Sequence, residues 1–98
     1  MTNSPVDITF FGTGEFAGRV LFDLAASAAQ PLTVQVVGRN APRLAWLRTA
    51  ANARAVLFGR PLRVVTDVCS SFDDESVTRV LVASRPRVVF QAASLQTA

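Results

Sequence analysis

Gly12-Thr13-Gly14-Glu15-Phe16-Ala17 has the spacing G-x-G-x-x-A, and each small residue in it has a chemical use. A first glycine permits a tight turn out of a strand. A second lets the backbone approach an anionic oxygen, and a small third residue lets helix and strand pack closely. The helix that follows aims its unpaired N–H groups and positive dipole end back at the turn. Together these features suit the pyrophosphate of a dinucleotide. The alternative is a strand–helix turn that uses glycine for geometry alone. A preceding strand and a following amphipathic helix are the context that favours the phosphate role.

The end of the second predicted strand bears on which dinucleotide. A site that prefers NAD places an acid there to hold the ribose 2′-OH. This chain has Gly38-Arg39-Asn40 and no acid. An acid repels a 2′-phosphate, whereas Arg39 can pair with one through a bidentate, charge-assisted contact. Asn40 can add a hydrogen bond and Arg43 a further charge. NADP is therefore expected over NAD. The alternative is that Arg39 is a solvated loop residue and Asn40 only caps a helix. Asp67, after the third strand, is placed to accept from an adenine amino group, with Val68 against the ring; an ordinary strand-end Asp fits equally well. Ala92 and Ala93 follow the fourth strand, beside the expected path of the ribose and nicotinamide. Small residues there also suit plain packing.

Other chemistry is poorly supplied. Cys69 has no histidine to activate it, since the chain contains none, and it reads as a packed thiol. Asp73-Asp74-Glu75 read as acids favouring the N-terminal dipole of a helix, not as a metal site. No residue is identified as catalytic. A single cysteine excludes an intramolecular disulfide. The net charge of +3 comes from ten arginines scattered without a run, so no nucleic-acid footprint is expected. No apolar stretch approaches a membrane span and no secretory leader is read at the N-terminus. A cytoplasmic setting is expected.

The positioning elements follow from periodicity. Strands are predicted at Val6–Phe11, Leu32–Val37, Leu62–Thr66 and Val88–Phe90. Helices are predicted from Glu15 to Ala29, from Asn40 to about Gly59 with Leu44, Leu47, Ala51, Ala55 and Phe58 on one face, and to about Ser84 with Val77, Val80 and Leu81 inward. Ser71 and Asp74 have capping-box spacing. Half the residues are apolar and 17% are charged, a balance that suits a parallel sheet buried on both faces. The βαβαβαβ order predicts an α/β fold. It is a partial Rossmann fold, with a four-stranded parallel sheet ordered 3-2-1-4 and flanking helices. Residues 1–98 read as a single, incomplete NAD(P)-binding domain.

Phe16-Ala17-Gly18-Arg19 after the glycine turn, and Val37-Gly38-Arg39-Asn40 with Arg43-Leu44 following, resemble the N-terminal NAD(P)-binding domain of saccharopine dehydrogenase-like oxidoreductases. Those proteins commonly read G-x-x-G-F-x-G-R and then A-G-R-N. This chain departs in Glu15, where the family often has Gly, and carries its second glycine at Gly14. Val88-Val89-Phe90-Gln91-Ala92-Ala93 is similar to the family's fourth strand and loop, though less specifically. The resemblance implies cofactor binding and an oxidoreductase origin, with hydride transfer at the nicotinamide once further chain or a partner completes the machinery. A second expectation is a non-enzymatic nucleotide-binding or truncated module. It would associate, as a homodimer or with a partner chain, through the exposed edge of the fourth strand.

Overall fold

A computed structural model describes residues 6–69 and 72–91, with Glu15 and Phe16 described as backbone. The elements alternate as β1 (Ile8–Phe11), α1 (Glu15–Ser27), β2 (Leu32–Gly38), α2 (Ala41–Leu57), β3 (Leu62–Val68), α3 (Asp74–Ser84) and β4 (Val88–Gln91). The four strands form one parallel sheet in the order β3-β2-β1-β4. This is the Rossmann-like α/β topology expected from the sequence.

Alternate strand residues point to opposite faces, and the two faces carry different cores. Phe10, Val34, Val36, Leu62 and Val64 lie against α1 and α2, where Leu21, Ala25, Leu44, Leu47, Ala51 and Ala55 are buried. Leu44, Leu47, Ala51 and Ala55 follow helical spacing, which is why α2 presents one continuous apolar stripe. Phe10 also stacks on Phe90 of β4, with ring centroids 4.9 Å apart. The other face holds Phe11, Val37, Cys69 and Val80, with α3 packed on them. Thr9 and Gln35 lie on this second face. The Thr9 hydroxyl donates to Gln35 Oε1 at 3.0 Å, so two polar groups inside central strands satisfy each other.

Several boundaries differ from expectation. α1 ends at Ser27, because Ala28 leaves helical geometry (ψ 122°) while its N–H still bonds Leu24 O. β3 runs on through Asp67 and Val68, which pair in register with Val37 and Gly38. β4 likewise includes Gln91. Phe58 is the C-cap of α2 and 48% exposed, not part of its buried face. α3 is capped by Asp73, whose carboxylate accepts from Ser76 N–H at 2.8 Å; Ser71 lies outside the described residues. The sheet is also less covered than its composition suggests. Val68, Val88 and Val89 are all about half exposed or more, because they sit on the two outer strands.

Candidate functional site

Parallel strands bring their carboxyl ends to one rim of the sheet, and the loops that leave them meet there. Gly12 to Gly14 leave β1, Arg39 and Asn40 leave β2, and Asp67 and Val68 close β3. β1 is also where the strand order reverses. β2 and β4 flank it, with α1 and α2 on one face of the sheet and α3 on the other.

The turn after β1 is built by glycine at two points. Gly12 has φ 116°, a conformation that side-chain-bearing residues rarely adopt. Its N–H bonds the Val37 carbonyl at 2.8 Å, fixing the turn to the end of β2. Gly38 matters through space instead. A Cβ there would lie 2.5 Å from Thr13 Cγ2, so the turn rests against bare backbone of β2. Gly14 is different again. It is the N-cap of α1 at φ −70° and ψ −176°, ordinary extended backbone, and supplies no side-chain cap. A helix leaves its first N–H groups without intrahelical partners. At α2 the Asn40 side-chain Oδ1 accepts from Arg43 N–H at 3.0 Å, and at α3 the Asp73 carboxylate does the same for Ser76 N–H. At α1 nothing from a capping side chain does. Ala17 is 2% exposed and packs into the core, the close helix–sheet approach expected of the third small residue.

Arg43 is folded onto the turn. Its Nε donates to the Thr13 carbonyl at 3.2 Å, and its guanidinium lies 5.1 Å from the Trp46 ring centroid. A Cβ at Gly18 would lie 3.6 Å from the Arg43 guanidinium, ordinary van der Waals contact, so Arg43 does not depend on a glycine there. Through the Thr13 bond Arg43 buttresses the glycine turn. Arg39 is exposed, with its guanidinium 5.9 Å from the Phe72 ring centroid. That contact bridges the loops after β2 and β3. Asn40 serves as the α2 cap through its side-chain oxygen.

Asp67 and Val68 are neighbours in a strand and so point to opposite faces: Asp67 to the α3 side, Val68 to the α2 side. Both are exposed. Cys69 is buried, and its N–H bonds Gly38 O at 2.8 Å. Ala92 and Ala93 lie outside the described residues. Phe72 and Trp46 are the residues beside the rim arginines that sequence reasoning missed as contributors. Trp46 had a signal, being three residues after Arg43 on one helix; Phe72 had none.

Among the described residues no helix is long and apolar enough to cross a membrane. Among the described residues, too, no cluster of three or more His, Cys, Asp or Glu is placed to hold a metal ion. No protein family, curated protein or solved structure matches the chain.

Proposed function

We propose that the rim binds the phosphates of a dinucleotide, with NADP(H) preferred over NAD(H). The observation that carries this is the start of α1. Gly14 occupies a cap position whose dihedrals any residue tolerates, yet it brings no side-chain acceptor to it. Ser, Thr, Asp or Asn there would accept from the first-turn amides and occupy them. Glycine instead leaves the first-turn amides of Glu15, Phe16 and Ala17 open to an anion, at the positive end of the helix dipole.

Each residue then has a part. Gly12, Thr13 and Gly14 shape the turn, and Gly12 and Gly38 let it sit flush on the sheet. Arg43 holds the turn through the Thr13 carbonyl and adds positive charge. Arg39 pairs with the ribose 2′-phosphate, leaving or sharing its contact with Phe72, and Asn40 donates from its NH₂ group. Asp67 accepts from the adenine amino group at the β3 end. A bound nicotinamide cofactor supplies hydride transfer itself; this chain contributes its placement. The resemblance of the first-turn and β2-end motifs to those of saccharopine dehydrogenase-like proteins supports assigning the chain to an oxidoreductase as its cofactor-binding portion.

Association through the β4 edge is a second proposal, favoured by the half exposure of Val88 and Val89 on that outer strand. Titration with NADPH and NADH, followed by nicotinamide fluorescence, tests the first. Tighter binding of NADPH is expected, and Arg39→Asp should abolish that preference. Equal and negligible responses to both nucleotides overturn it.

A further inference from the structure

β3 is the outer strand opposite β4, and the direction of its backbone groups can be read residue by residue. The Pro61 carbonyl accepts from Leu32 N–H, and Cys69 N–H donates to the Gly38 carbonyl. Backbone groups alternate in direction along a strand, so the odd-numbered residues from 61 to 69 address β2. Leu62, Val64, Thr66 and Val68 turn theirs outward. Asn52 of α2 confirms the pattern. Its Nδ2 donates to Val64 O at 3.1 Å and its Oδ1 accepts from Val64 N–H at 2.9 Å. One side-chain amide thus imitates one residue of an adjoining strand, in the middle of an otherwise outward-facing row. Exposed edges of this kind invite pairing, and natural proteins block them.

The charges on this edge are arranged for a particular partner. Arg63 and Asp67 are both exposed and lie on the same face of β3. Four residues along a strand span about 13 Å, so they cannot pair with each other. Neither takes part in an ion pair among the described residues. An antiparallel copy of the same strand, related by a two-fold axis through Val65, sets Arg63 opposite Asp67 of the second copy and Asp67 opposite its Arg63. The parity also agrees. The outward-facing residues then meet as the hydrogen-bonded pairs Val64–Thr66 and Leu62–Val68. The charged residues fall at non-hydrogen-bonded positions, where side chains come closest. Leu62 and Val68 meet on the other face, which gives the 58% exposed Val68 an apolar neighbour.

We propose that β3 is a homotypic pairing edge, joining two copies of this chain antiparallel about Val65, with the Asn52 side chain as its removable plug. A groove of about 520 Å³ between α2 and β3, lined by Thr49, Asn52, Val56 and Thr66 among others, gives that side chain space to withdraw. The interface uses main-chain hydrogen bonds for affinity and the Arg63–Asp67 pairs for register and partner choice. It extends the sheet from the side opposite β4.

Sedimentation equilibrium of the full chain carries the test. Asn52→Ala frees the Val64 groups and is expected to tighten association by about tenfold. Arg63→Asp and Asp67→Arg each set like charges face to face, so each variant alone is expected to associate less than wild type. Mixed in equal amounts, the two restore opposite charges at both contacts, because the strand of one variant is acidic at both positions and that of the other is basic at both. They form a heterodimer. A mixture that stays monomeric overturns the proposal whether or not Asn52→Ala folds. So do single charge variants that dimerise as tightly as wild type. A dimer that Val89→Lys breaks and the charge reversals leave intact places the interface at β4 and equally overturns it.

Discussion

The methyl group of Thr13 occupies the space that a side chain at Gly38 would need, with only 2.5 Å between Thr13 Cγ2 and a Cβ built there. The turn after β1 and the end of β2 are therefore fitted to each other across bare backbone. Gly38→Ala forces Thr13 out of its rotamer or lifts the turn. Overpacking of this kind costs about 1–3 kcal/mol, and a lifted turn also moves the α1 amides. A lowered urea midpoint and weaker NADPH binding are expected. An unchanged midpoint contradicts the fit.

Gly14 separates folding from binding. Its extended dihedrals accept any residue, so Gly14→Asp should not strain the backbone. The new carboxylate caps α1 and raises stability by roughly a few tenths of a kcal/mol or more. The same carboxylate fills the open amides and repels phosphate. Thermal melts and NADPH titration should move in opposite directions, with melting temperature rising and affinity falling. A variant that binds NADPH as well as wild type contradicts the role given to the cap.

The parts of the fold written in local periodicity were legible in the sequence. The spacing of Leu44, Leu47, Ala51 and Ala55 marked the buried stripe of α2, and the alternation of strand and helix signals gave the sheet order. The glycine turn was legible because Gly12 and the strand before it are contiguous. Tertiary contacts were not. Arg43 reaches Thr13 across 30 residues and Asn52 reaches Val64 across 12, and neither pairing leaves a mark in spacing or composition. Arg39 against Phe72 is of the same kind. The α3 cap was misplaced because Ser71 and Asp73 are both good caps, and only the register of α3 on the sheet decides between them. The exposed edge at β4 was legible, because the order 3-2-1-4 leaves the fourth strand outermost.

The buried pair Thr9–Gln35 predicts a non-additive cycle. Thr9→Val removes the donor and leaves the Gln35 oxygen without it, at a cost of about 1–3 kcal/mol. Gln35→Leu alone strands the Thr9 hydroxyl at a similar cost. The double variant replaces both polar groups with apolar ones and should recover part of the loss. Denaturant titration of the four proteins measures it. Strict additivity contradicts a direct bond between them.

Amide resonances of this 98-residue chain offer the most direct view of the first turn of α1. On addition of NADPH, the ¹H–¹⁵N signals of Gly14, Glu15, Phe16 and Ala17 should shift progressively and saturate, while nicotinamide riboside, which lacks phosphate, leaves them in place. If NADPH moves none of these four signals at saturating concentration, the amides at the head of α1 do not receive phosphate and the proposed function falls.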